Sequence, residues 1–252
     1  MNIDALLSPA ELPALDRRDL RGTACVVFDI LRATSTFITA LHHGAAAVIP
    51  VSEIAEAVAR RRQQPGILLA GERNGVRIRA AQSGGIDFDF GNSPREFTPE
   101  LVCGRTIVST TTNGTRALRA GAGAKSVLAA SFLNLSATAE FLRRLAPEEI
   151  LLVCAGTAES VALEDVLAAG ALIELLSARE DARPTSLSDS AEIARRTFLS
   201  AQADLPAALG GSQNARRLLA IPELCDDVAF CLQRDIFNLV AVMQPDGAIR
   251  AA

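Results

Sequence analysis

Tryptophan and tyrosine are absent from this 252-residue chain, and its only two histidines stand side by side as His42-His43. So few imidazoles all but exclude a histidine-built zinc site or a separate histidine base for each catalytic step. The five cysteines, Cys25, Cys103, Cys154, Cys225 and Cys231, are odd in number and form no CxxC pair. They read as small hydrophobes in a reducing compartment. No stretch approaches the roughly 20 apolar residues that a membrane span requires. Asn2, Asp4, Glu11, Asp16 and Asp19 interrupt any apolar leader. A soluble, cytoplasmic protein is expected, with no membrane partner.

Excess charge is missing too. The formal net charge is −4 and the pI about 5.3, and the arginines are scattered apart from Arg60-Arg61-Arg62, which reads as the end of a helix. Nothing there marks a nucleic-acid surface. The familiar phosphate loops also fail. The segment GAGAKS (121–126) resembles a Walker loop but lacks the glycine before its lysine and precedes a strand. Asp29 is followed by Ile30-Leu31 rather than by the second aspartate of an Asp-x-Asp phosphatase, and no cysteine begins a Cys-x5-Arg loop.

What the chain does contain is an ordinary globular balance, 49% hydrophobic and 21% charged, in which short apolar runs alternate with helical patterns. Strands are expected at 23–29, 46–51, 67–73, 106–110, 126–131, 150–154 and 237–243. Helices are expected at 35–43, 52–62 (capped by Ser52), 113–120, 134–145, 163–177, 189–202, 213–220 and 226–234. A Pro- and Ser-containing loop is expected at 182–188, and 74–104 reads as an irregular excursion. The β-α alternation argues for parallel strands covered by helices on both faces. The expected class is α/β, two three-layer αβα domains, a Rossmann-like parallel sheet (1–147) beside a second mixed sheet (148–252).

In such a sheet, ligands sit beyond the carboxyl ends of the strands. Those ends carry a repeated chemistry: Asp29 to Thr36, Gly71 to Gly75, Ser109 to Thr115, Ser131 to Asn134 and Ala155 to Thr157. Hydroxyls and amides at helix starts are ordinary N-caps, but four such junctions on one edge favour an anion site. Thr34, Ser35, Thr36, Thr112, Asn113, Gly114 and Thr115 are expected to cradle a phosphate, and Arg32 and Arg73 to neutralise it. Asp29 and Glu72 end strands, and Glu164-Asp165 open a helix where the dipole alone explains them. Carboxylates beside an anion site suit Mg²⁺. With histidine scarce, metal-assisted attack of water is the economical route to phosphate-ester hydrolysis, with Asp29 as a covalent nucleophile the alternative. Cys154 has no cationic neighbour in the sequence to activate it.

The motifs FDILRATST (28–36), GERNG (71–75), FGNSP (90–94), STTTNGT (109–115), SFLN (131–134), CAG (154–156) and LEDVLAAG (163–170) resemble, in order, those of the 2-phosphosulfolactate phosphatase family. Weaker similarity continues through 214–219 and 226–231. The resemblance implies a Mg²⁺-dependent phosphatase of two α/β domains, releasing phosphate from 2-phosphosulfolactate on the way to coenzyme M. Its motif positions here are Asp29, Arg32, Thr34, Ser35, Thr36, Glu72, Arg73, Asn92, Ser93, Thr112, Asn113, Thr115, Ser131, Asn134, Glu164 and Asp165. Within that set, Asp29, Glu164 and Asp165 are the expected metal residues, with Glu72 a further candidate. Asn92 and Ser93 are expected to close over the acid end of the substrate. The link 76–86 is longer than the family's usual one, so another phosphorylated 2-hydroxy acid remains an alternative substrate. A non-catalytic sensor of an anionic metabolite and a phosphosugar isomerase remain as rival functions. A homo-oligomer is left open.

Overall fold

A computed structural model describes residues 1–178 and 186–252. The strands are β1 (Asn2–Leu6), β2 (Thr23–Phe28), β3 (Ala47–Pro50), β4 (Leu68–Arg73), β5 (Val76–Arg77), β6 (Thr106–Thr110), β7 (Ser126–Ala130), β8 (Glu149–Cys154), β9 (Ser186–Leu187), β10 (Ala241–Met243) and β11 (Ile249–Ala251). The α-helices are α1 (Ala33–His42), α2 (Ile54–Gln63), α3 (Ala80–Ser83), α4 (Pro99–Val102), α5 (Gly114–Ala120), α6 (Leu135–Leu145), α7 (Leu163–Ser177), α8 (Asp189–Ala201), α9 (Leu205–Leu209), α10 (Gln213–Leu219) and α11 (Cys225–Cys231). The α/β class is the one the alternation predicts.

The strands join in one mixed ladder, β5-β4-β6-β3-β11-β10-β7-β2-β8-β1-β9. It has two parallel halves: β4, β6 and β3 in one, and β7, β2, β8, β1 and β9 in the other. The antiparallel pair β10–β11 bridges them, β11 on β3 and β10 on β7. The halves interleave in sequence, since β8, from residue 149, lies between β2 and β1. Three antiparallel pairings in succession reverse strand direction from one half to the other. In a flat sheet their carboxyl ends would leave by opposite edges. Strand twist of roughly 20–25° per step accumulates to about 100° or more over the five steps from β6 to β2, which turns the ends towards each other.

Central strands show why their sequences read as unbroken apolar runs. In β2, Ala24, Val26 and Phe28 enter the core beneath α6, α7 and α8. Cys25 and Val27 point the other way, into the core shared with α1 and α5. Both faces are dry, so period-2 alternation of polarity is lost although alternation of direction remains. In β8, Ile150, Leu152 and Cys154 pair with the first core and Leu151 and Val153 with the second. Each such aliphatic or aromatic side chain contributes roughly 1.5–3 kcal/mol by leaving water. A smaller core around Val51, Val58, Leu69, Ile78, Phe88 and Val108 holds α2 against the first half.

Several boundaries differ from those expected. The strand β1 is hidden in the sequence because Asp4 splits its apolar residues, yet Ile3 and Ala5 are buried on one face beside β8. Helix α2 has Glu53 rather than Ser52 as its extended first residue, while Ser52 Oγ accepts from Arg119. Ser188, one residue earlier than expected, caps α8 by accepting from Ala191 N. The last strand begins only at Ala241. The ring of Phe237 instead stacks on His42 with centroids 4.0 Å apart. Of the loop expected at 182–188, residues 182–185 lie outside the described residues.

Candidate active site

β4 runs through Arg73 and turns back into β5 over Asn74-Gly75, with Arg73 paired to Val76. Both turn residues have positive φ, 57° and 81°, as a two-residue hairpin of this kind requires and as the Asn-Gly pair allows. The turn places Glu72 and Gly75 on the rim of a cleft of about 200 Å³. Opposite lie Asp29, Leu31 and Arg32, which follow β2, and Thr111, Thr112 and Asn113, which follow β6. Asn92, Thr157, Ala158, Asn214, Arg217 and Leu218 complete the wall.

Asp29, Arg32, Glu72, Asn92, Thr112 and Asn113 are thus brought together as the motifs imply. Asp29 is 8% exposed. Its Oδ1 accepts from Ala33 N at 3.1 Å, capping α1, and the amide of Gly114 hydrogen-bonds it as well. Burial, followed by the charges of Glu72 and Glu164, pushes its pKa up to about 7 against the partial relief of those amides. The approach of Gly114 is close: a Cβ there would sit 2.6 Å from Asp29 Oδ2 and 2.8 Å from the Ala33 Cβ. Glycine is required at that point for space. Glu72 accepts from Thr112 N and Oγ1 at 3.1 and 3.0 Å and from Gly75 N at 2.6 Å. Donors expected for phosphate therefore hold carboxylates in this structure.

The remaining hydroxyls serve the backbone. Thr34 Oγ1 donates to Asp29 O and accepts from Asp29 N. Ser35 donates to Ile30 O and Thr36 to Asn92 O. The hydroxyls of Thr111 and Thr115 hydrogen-bond each other. Ser131 accepts from Leu133 N, while Asn134 accepts from Ser131 N and donates to Leu239 O. Ser93 donates to Asp227. Apart from Thr111, which lines the cleft, these side chains shape the strand ends without reaching its wall.

Neither arginine singled out by sequence is free. Arg32 is buried and donates to Asp227 Oδ2 at 2.6 Å and to Gly75 O at 2.9 Å. Asp227, fully buried, is its counter-ion, a pairing hidden in the sequence because the two residues lie far apart along the chain. Arg73 donates to Glu72 O and Thr110 Oγ1 and does not line the cleft. Arg217, which no sequence pattern singled out alone, does line it.

Glu164 and Asp165 are also away from the wall. Asp165 accepts from Ile30 N at 2.8 Å and Gly156 N at 3.0 Å, joining the ends of β2 and β8. Burial, then the charges of Asp29 and Glu164, hold its pKa well above the ordinary carboxylate range. Glu164 accepts from Ser212 Oγ at 2.8 Å and Asn214 Nδ2 at 2.6 Å, which anchors the start of α10. Among the described residues, no group of three or more His, Cys, Asp or Glu is arranged to hold a metal ion. Asp29 and Glu72 on the wall nonetheless fit Mg²⁺, which takes one or two carboxylates and fills its shell with water and substrate oxygens. Cys154 is buried, its thiol pushed far up by burial. His43 Nδ1 is hydrogen-bonded to Phe97 O, so neither histidine enters the cleft.

The family model described as 2-phosphosulpholactate phosphatase matches residues 8–246. The chain belongs to the 2-phosphosulfolactate phosphatase family. Its relatives include the "Probable 2-phosphosulfolactate phosphatase" of Thermotoga petrophila, 42% identical over 218 residues, 86% of this chain and 88% of that one. The protein of the same description from Caldanaerobacter subterraneus is 37% identical over 241 residues, 95% of each chain. That of Trichormus variabilis is 33% identical over 242 residues, 94% of this chain and 96% of its own. The family's span takes in both halves of the sheet and every residue of the cleft.

Proposed function

We propose that this protein is a Mg²⁺-dependent phosphatase that hydrolyses the phosphate ester of 2-phosphosulfolactate to sulfolactate and phosphate. The observation that carries the reading is the pairing of Asp29 and Glu72, two carboxylates held by backbone amides that line the same cleft. A bare acidic pair repels a phosphate. The same pair is suited to a hard cation that attracts one. Asp29 and Glu72 would hold the ion, with Glu164 and Asp165 supporting them through the ends of β2, β8 and α10. When bound, Mg²⁺ supplies charge neutralisation at the phosphoryl oxygens and acidifies water for attack.

This chain's own contribution is position. Gly114 N and Ala33 N keep Asp29 aimed into the cleft, and Thr112 does the same for Glu72. The family match and the relatives' descriptions support the substrate. The use of sulfolactate towards coenzyme M belongs to the same proposal. The test is phosphate release from 2-phosphosulfolactate by the purified protein, with Mg²⁺ and after chelation. Release that stops on chelation and returns with Mg²⁺ is expected. A thermal shift with the substrate but no release would make the protein a sensor rather than a phosphatase.

A further inference from the structure

We propose that Arg217 binds an acid group of the substrate other than the phosphate, its sulfonate or its carboxylate, and so selects phosphate esters of hydroxy acids over those of neutral alcohols. This rests on the phosphatase reading and assigns the part of the substrate that the acidic pair does not serve. Two arginines line the cleft. Arg32 is spent on Asp227 and on Gly75 O. Arg217 is exposed, and among the described residues no hydrogen bond or ion pair engages its guanidinium.

Its place is nonetheless fixed. One turn earlier on α10, Asn214 donates to Glu164 Oε1 at 2.6 Å and to Thr157 Oγ1 at 2.7 Å. Ser212, which caps the helix by accepting from Ala215 N, donates to the other oxygen of Glu164. A carboxylate only 1% exposed thus pins the first turn of α10, while residues 214, 217 and 218 present one face to the cleft. The guanidinium lies against the β4–β5 turn. A Cβ at Gly75 would stand 3.0 Å from Nη2 and 3.5 Å from Nε. Asn92 is a further polar side chain on the cleft wall, and its buried Oδ1, an acceptor with no hydrogen-bond partner among the described residues, calls for a donor rather than an anion. Beside the acidic pair Asp29 and Glu72 the cleft therefore carries, against the β4–β5 turn, one unspent fork donor suited to a planar or tetrahedral oxyanion.

The experiment compares wild type, R217Q, R217K and R216Q on 2-phosphosulfolactate and on glycerol 2-phosphate, which has no second acid group. R217Q is expected to raise KM for 2-phosphosulfolactate about 10- to 100-fold with kcat little changed. Glycerol 2-phosphate turnover should be unaffected. R217K, a charge without the fork, should recover part of the loss, and R216Q, on the same helix but off the cleft wall, should behave as wild type. The inhibition constant of sulfolactate should rise in step with KM. Equal losses on both esters, or an unchanged KM, would overturn the assignment. If wild type releases phosphate from neither ester, the phosphatase reading fails by itself. Calorimetry with sulfolactate then decides Arg217, whose assignment stands if R217Q loses binding and falls if it keeps it.

Discussion

Replacing Asp29 with asparagine should stabilise the metal-free protein at neutral pH and do so less in acid. Asp29 titrates near 7 in the fold instead of the ordinary 3.8, first because it is buried and then because Glu72 and Glu164 face it. The folded state therefore holds a proton that the unfolded chain has released. The stability belonging to that proton is complete below the unfolded value and is lost as pH rises through the folded one. The loss is about 1.4 kcal/mol per pH unit, or roughly 3 kcal/mol between pH 5 and 7. Asparagine carries no such term. Asp165, raised in part by the Asp29 charge, also ionises more easily in the variant, which adds in the same direction. Against this stands a pH-independent cost of about 1 kcal/mol, because an amide NH₂ cannot accept from both Ala33 N and Gly114 N. The assay is thermal unfolding of both proteins in chelator from pH 5 to 8. The gap in Tm should widen in favour of D29N by about 6–12 °C. Curves that stay parallel would refute the reasoning, and the acidic cluster would then carry no strain. Phosphate release by D29N should be lost throughout.

Other outcomes follow from single contacts. D227N leaves Arg32 buried without its counter-charge, and urea unfolding should show a loss of roughly 3–5 kcal/mol, the usual cost of breaking a buried pair. G114A drives a methyl group against Asp29 Oδ2 and the Ala33 Cβ. It should cost about 1–3 kcal/mol by overpacking and reduce phosphate release far more than its stability loss explains. Mg²⁺ must displace the proton on Asp29, so affinity measured by calorimetry should fall about tenfold per pH unit below 7 and level off above it.

The parts of the fold legible in sequence were those set by local pattern. Residues 163–177 form α7 as expected, and the run 150–154 lies in β8, because continuous apolar character, start residues and length act within one element. Strand β1 escaped notice because its burial depends on a partner almost 150 residues away. The cleft divides the same way. Asp29 and Glu72 were legible as carboxylates at strand ends, a costly placement without a purpose. The hydroxyls of Thr34, Ser35 and Thr36 carried the same outward signal, yet Thr34 and Ser35 bind carbonyl oxygens of the preceding strand end and Thr36 that of the distant Asn92. Composition cannot separate a hydroxyl that faces a ligand from one that faces its own backbone. Arg32 was legible as a cation beside a strand end, but its partner Asp227 was not, because the two lie far apart along the chain and the pair DD at 226–227 offered no hint of which member is buried. The junctions read as one edge also belong to two halves of opposite direction, which only the antiparallel bridge reveals.

That bridge has a consequence for how the molecule is made. Strands β10 and β11 come after every other strand in the chain, yet they lie in the middle of the ladder. A ribosome therefore releases both parallel halves before it releases the hairpin that welds them. Until then β3 and β7 each offer a bare edge, the condition in which nascent sheets pair wrongly with other chains. Pairing of this hairpin hides both edges at once and joins the half that carries Asp29 to the half that carries Glu72, so the two acids of the cleft meet only when the strands that hold the halves together are in place.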